Sequence, residues 1–133
     1  MTPKTGIFCL VALAMMATAR IAQASVSASL STVSASATSL AADAVTSTTI
    51  TVTINDGSGA PVSGKTVTLA KSGGSSTISA ASGPSGTNGV VTFTVVDGVG
   101  ETTTYTATDA TDSIVLFQTA SVTFIAVPWY NPG

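Results

Sequence analysis

Hydrophobic and polar residues alternate along most of this chain with a period of two. Ile50, Val52 and Ile54 interleave with Thr49, Thr51 and Thr53, Val67 and Leu69 with Thr66 and Thr68, and Val91, Phe93 and Val95 with Thr92 and Thr94. Successive side chains of a strand point to opposite faces, so aliphatics gather on one face and threonines on the other, as in antiparallel sheets wet on one side only. One greasy face demands a second sheet to cover it. Strands are expected at about Val26 to Ser36, Thr48 to Asn55, Thr66 to Ala70, Thr77 to Ala80, Val90 to Val96, Thr103 to Thr108 and Ser113 to Val127, the last broken near Gln118. No stripe of 3.6-residue period follows Ala24. The expected fold is all-β, a sandwich of about seven strands. Its inward side chains are expected to be Leu30, Ile50, Val52, Ile54, Val67, Leu69, Ile78, Val91, Phe93, Val95, Tyr105, Ala107, Leu116, Val122 and Phe124.

Turn chemistry separates the strands. Between Ile54 and Thr66 runs Asn55-Asp56-Gly57-Ser58-Gly59-Ala60-Pro61-Val62-Ser63-Gly64-Lys65. Asp56 can accept backbone N–H bonds, Gly59 and Gly64 can take positive φ, and Pro61 fixes φ while withdrawing a donor. Asn88-Gly89 and Asp97-Gly98 are further turn signals. The structural turn residues are therefore expected to be Asp56, Gly59, Pro61, Gly64, Asn88 and Gly89.

The pattern strand, Asp-x-x-Gly-x-Pro-Val-x-Gly-Lys, Thr-Val-Thr-Leu resembles the group-1 bacterial immunoglobulin-like repeat of invasin and intimin adhesins. Thr87 to Val95 looks like that family's Asn-Gly turn and the strand it feeds, Thr104 to Thr108 like its penultimate strand, and Ala120 to Phe124 like its closing strand. Together the matches cover roughly residues 26 to 125. The family usually carries Gly after the Asp of its first loop, whereas Asp43 is followed here by Ala44 and Val45. The resemblance implies an immunoglobulin-like β-sandwich. It also implies a spacer or adhesion role, since such repeats stack as stiff rods that hold a binding domain away from the outer membrane.

The N-terminus reads as an export signal. Lys4 supplies a basic start, Ile7 through Ala19 a largely apolar run, and Ala22-Gln23-Ala24 a small-x-small site, so cleavage is expected before Ser25. That run of 13 residues falls short of the roughly 20 a spanning helix needs. Phe8 ahead of Cys9, the sole cysteine, replaces the small residue a lipoprotein signal would carry. The expected division is residues 1–24 signal peptide, 25–127 immunoglobulin-like domain and 128–133 C-terminal tail, with an extracellular, cell-surface or periplasmic destination and no transmembrane segment in the mature chain.

Composition narrows the chemistry. The mature segment has no cysteine and no histidine, so its stability is expected to come from packing rather than a disulfide or metal. Lys65 and Lys71 stand against Asp43, Asp56, Asp97, Glu101, Asp109 and Asp112, a formal charge of −4 that disfavours nucleic acid as a partner. Serine and threonine make up 39 of the 109 mature residues, so solubility rests on hydroxyls.

Without histidine the serines have no base to take their proton, so no catalytic residue and no cofactor is expected. Asp109 and Asp112 read as solvated turn formers rather than an acid–base pair, and no calcium-loop series of oxygen donors is present, so no metal ligand is expected. Tyr105 is either a core residue or a tyrosine corner bonding the backbone. Outward Thr-x-Thr ladders read as ordinary solvated sheet surface. Trp129 and Tyr130, on a Pro-flanked tail, are the candidate binding residues, either docking on a partner or folding over the end of the sandwich. Expected partners are a host or cell-surface protein, a glycan, or neighbouring immunoglobulin-like domains. Self-association through exposed strand edges is the remaining alternative.

Overall fold

The computed structural model describes residues 24–128. Eight strands form two sheets: β1 (Thr32–Ala35), β2 (Ser39–Ala42), β3 (Ser47–Thr53), β4 (Val67–Lys71), β5 (Thr77–Ile78), β6 (Val90–Val96), β7 (Glu101–Asp109) and β8 (Ile114–Ala126). One sheet has the order β1-β3-β6-β5 and the other β2-β8-β7-β4. No helix among the described residues is long and apolar enough to cross a membrane.

The alternating pattern dictates the layers. Register pairs Ile50 with Phe93 and Val52 with Val91 in the first sheet, and Tyr105 with Ala120 and Thr103 with Val122 in the second. Each sheet thereby presents one apolar face, and the two faces close on a core of Ile50, Val52, Ile54, Val91, Phe93 and Val95 against Tyr105, Ala107, Leu116, Val122 and Phe124. Each large member of such a core contributes about 1.5–3 kcal/mol by apolar burial. The outer face of the second sheet pairs hydroxyls across strands, Thr102 with Thr123 at 3.0 Å and Thr104 with Ser121 at 2.8 Å.

The N-terminal strand differs most from the expectation. Of the segment Val26 to Ser36, only Thr32–Ala35 pairs as a strand, with β3; Val26 makes an isolated bridge to Asp56. The chain then crosses to the other sheet, where β2 lies parallel to β8. Neither half is long enough to show a period, and so the switch has no signal in the pattern. Leu30, expected inside, is 44% exposed on the turn before β1, whereas Val26, Val33, Ala42, Val62 and Ala120 join the core. Leu69 and Ile78 are only partly buried. The fifth strand is two residues long and ends before Ala80.

The break expected near Gln118 is a bulge inside a continuous strand. Thr106 pairs with Thr119 and Thr108 with Val115, so Leu116, Phe117 and Gln118 lie opposite Ala107 alone. The extra residues serve the N-terminal segment instead. The Phe117 N–H donates to Ala28 O at 3.0 Å, and Gln118 Oε1 accepts the Val33 N–H at 3.1 Å.

Serines act as strand terminators in four places. Ser36, Ser72, Ser79 and Ser82 each donate their N–H to the carbonyl of Thr49, Thr104, Thr94 and Thr92 respectively, and each accepts that same threonine's N–H on its own Oγ. Ser85 makes the same exchange with Lys65. In a regular ladder the serine's carbonyl would take that N–H. The hydroxyl replaces it, so the chain can turn away without leaving the inner strand's donor unpaired. Ser85 also donates to Val62 O at 2.7 Å from a buried position. Ser85→Ala removes both bonds and is expected to cost about 2 kcal/mol in a urea titration, against a change below about 0.5 kcal/mol for an exposed site such as Ser63→Ala.

Register also fixes the polarity of the sandwich. Val26 bridges Asp56 at the pole formed by the β3–β4 connection, and Ala42 pairs with Ala126 at the opposite pole. The chain thus comes in at one pole and goes out at the other. The 13 residues of β8 span about 43 Å between them.

Candidate functional site

The six turn residues expected from sequence all lie at the pole where the chain comes in. Asp56 Oδ1 accepts the N–H and the hydroxyl of Ser58 at 2.8 and 2.6 Å and the Ala60 N–H at 3.0 Å. Gly59 and Gly64 have φ of +85° and +77°, and Pro61 bridges to Asn55. Asn88 Oδ1 accepts the Val90 N–H, and Gly89 at φ +74° accepts the Ile54 N–H on its carbonyl at 2.8 Å. The β3–β4 connection is thereby clipped onto the turn before β6.

Lys65 and Asp112 meet at this pole, 2.7 Å apart. The lysine stem is buried while the carboxylate is a third exposed, so the pair closes the sandwich end without a fully desolvated charge. Asp109, expected to be solvated, is fully buried. It is the last inward position of β7, and its Oδ1 accepts the Thr111 N–H to start the turn into β8. Alternation carried through to the end of β7 puts it inside.

At the exit pole a second polar group forms, one that sequence reasoning did not single out beyond the Asp97-Gly98 turn. Asp97 Oδ1 accepts the Ser75 hydroxyl at 2.6 Å and the Val99 N–H at 2.9 Å. Glu101 Oε1 accepts the Ser75 N–H at 2.7 Å. Tyr105 is fully buried, and its hydroxyl donates to Ser76 Oγ at 2.9 Å. It is therefore a core residue bonding a side chain, not a tyrosine corner bonding the backbone. Burial pushes its phenol above the usual range. Lys71 Nζ donates to Ser76 O at 2.6 Å. A cue for this group was available: a serine pair in the β4–β5 connection and two acids flanking the β6–β7 turn. Only pairing across the sheets brings them together. Trp129 and Tyr130 lie outside the described residues, which end at Pro128 on this pole.

Hydrogen bonds hold three aspartates below the ordinary carboxylate value of 3.8. For Asp43 the donors are the Thr46 hydroxyl and the Thr46 and Val45 N–H groups, and for Asp56 they are Ser58 and Ala60. For Asp97 burial works in the raising direction, and the Ser75 hydroxyl and Val99 N–H outweigh it. A carboxyl depressed in the folded state stabilises fully above its unfolded pKa, and that stability is lost as pH falls through the folded value. Thermal melts are therefore expected to be flat from pH 7 to about 5 and to drop below about pH 4. A melting temperature that rises toward pH 2 would contradict the assignment.

Among the described residues no three His, Cys, Asp or Glu side chains come together. What the chain offers is a rigid frame with loops at two poles. The family model of the bacterial Ig-like domain (group 1) matches residues 17–125. The chain belongs to this family. Solved structures with a similar fold include invasin, described as a bacterial integrin-binding protein, at TM-score 0.71 and 21% identity over 81% of this chain. The Yersinia pseudotuberculosis adhesin InvE gives TM-score 0.67 and 22% identity over 77%, and the Escherichia coli adhesin FdeC gives 0.66 and 23% over 77%. At such identity the likeness establishes the fold. This chain spans 21%, 28% and 32% of those three structures, so the group-1 domain matches one portion of each. No curated protein matches the chain.

Proposed function

We propose that this chain is an exported, non-enzymatic module of a bacterial surface adhesin, and that its sandwich serves as a stiff spacer. The observation that carries the reading is polarity: the chain enters at the pole of Val26 and leaves at the pole of Ala126, so domains joined end to end extend a rod instead of folding back. Its leader, residues 1–24, is removed before Ser25, residues 25–127 fold as one unit, and 128–133 form the tail. The adhesins that share the fold support a cell-surface location, and the description of invasin as integrin-binding supports a host protein as the eventual target of the assembly that carries this domain.

The test applies the purified secreted protein to host cells and a glycan array, with N-terminal sequencing of the product. A spacer shows a mature terminus at Ser25 and no saturable binding of its own. Saturable binding that disappears in the Trp129→Ala/Tyr130→Ala double variant would replace the spacer reading with that of a binding module.

A further inference from the structure

A mostly apolar recess of about 340 Å3 opens at the exit pole, lined by Ala44, Val96, Gly98 and Val99 together with Ser75, Thr77 and Asp97. The Asp97 carboxylate is already engaged by the Ser75 hydroxyl and the Val99 N–H. Beside it stands uncovered hydrophobic surface: Val99 is 50% exposed, and Val45, next to Ala44, is 80% exposed. The chain leaves the sandwich beside these residues. Ala126 pairs with Ala42, two positions before Ala44. It also packs against Gly100, the neighbour of Val99, so closely that a Cβ on Gly100 would come within 2.8 Å of the Ala126 Cβ. The Ala44 N–H donates to Asp97 O at 2.9 Å, so the segments before β3 and before β7 meet at this point.

We propose that the chain's own C-terminal segment, residues 129–133, covers this recess, with the Trp129 ring seated in it. Trp129 stands three residues beyond Ala126, within about 10 Å along an extended chain. So short a tether holds the ring at an effective concentration of about millimolar or above, against which a free partner competes poorly. Proline lowers the cost of ordering the segment. Pro128 and Pro132 fix their own φ, and each restricts the residue before it, Val127 and Asn131, to extended backbone. The side chain also suits the lining. Tryptophan joins a large apolar ring to one polar N–H, and the recess offers mostly aliphatic surface with the Ser75 and Thr77 hydroxyls beside it. The inference concerns the end of the domain itself and does not rest on the spacer reading.

Trp129 is the sole tryptophan, so its fluorescence reports the segment directly. Emission of the purified folded chain is expected to be blue-shifted from that of the urea-unfolded chain, shielded from iodide and unchanged on dilution. Val99→Asp and Thr77→Lys, both at exposed positions of the lining, should each move the emission toward the unfolded value while circular dichroism stays native. Val115→Asp, exposed near the start of β8 toward the other pole, should leave it unchanged. Trp129→Ala should lower the melting temperature by about 5 °C. Thr77→Lys decides alone if Val99→Asp loses the native spectrum. The proposal is overturned by an indole as open to iodide in the folded chain as in urea, or by an unchanged melt for Trp129→Ala. A blue shift that survives the lining variants places the ring elsewhere, and one that disappears on dilution assigns the recess to a second copy; either result also overturns it.

Discussion

Replacement of Tyr105 by alanine is expected to cost about 3–5 kcal/mol of folding stability, the range for removing a large aromatic from a packed core. Tyr105 is fully buried at the centre of β7 and pairs with Lys71 on one side and Ala120 on the other. Alanine would leave a cavity between the sheets and strip Ser76 of the donor to its Oγ. A domain of this size has only about 5–15 kcal/mol in hand, so the variant sits near the edge of folding. Tyr105→Phe separates the two contributions. It keeps the ring and removes only the hydroxyl, and about 1 kcal/mol is expected. Urea unfolding followed by circular dichroism reads both values. A Tyr105→Ala cost below that of Tyr105→Phe would show that the ring does not hold the sheets together.

Gly89→Ala is expected to be the most damaging change among the turns, at about 3 kcal/mol. Its φ of +74° is unfavourable for any side chain with a Cβ, and a Cβ built there would meet Ile54 O at 2.5 Å and Pro61 Cβ at 3.1 Å. Ile54 O is not free to move, because it accepts the Val62 N–H at 2.9 Å and holds the β3–β4 connection in place. Relief of the clash therefore breaks that bond. Gly59→Ala is the matched control, with φ +85° and nothing within 4 Å of its Cβ. It carries only the backbone penalty, about 1 kcal/mol. Equal losses in the two variants, measured by the same urea titration, would mean that the close approach at Gly89 contributes nothing.

These two positions differ in how far sequence could place them. Gly89 follows Asn88 ahead of an alternating strand, and that dipeptide announces a turn. Its contact with Ile54 is made across 35 positions of chain and has no local signature. Tyr105 was identifiable as an inward residue from Thr104 and Thr106 on either side. That its hydroxyl would reach Ser76 rather than the backbone depended on where the β4–β5 connection crosses the sandwich.

The same division holds at the poles. Asp112 could be read as a turn former, but its pairing with Lys65 joins residues far apart in sequence. Asp109 misled because an acid beside a turn usually faces water. Here the two-residue period continues one step further and takes it into the core. The serines were read as solubilising. Four of them instead take the place of a backbone carbonyl where a segment leaves the sheet, a role set by partners on another strand.

Alternation by itself determined that this chain makes sheets, which faces are greasy, and that two layers must close on each other, because side-chain direction in a strand is fixed by parity alone. It delimited β3 and β6 to within about two residues, and the turn motifs identified the family. Tertiary structure decided the rest: the split of the first segment between two sheets, the bulge at Leu116 to Gln118, and the meeting of Asp97 with Glu101 and Ser75. Each of these depends on which distant strand becomes a neighbour. Local preference is silent on that choice, because the hydrogen bonds and burial that settle it exist only after both sheets have come together.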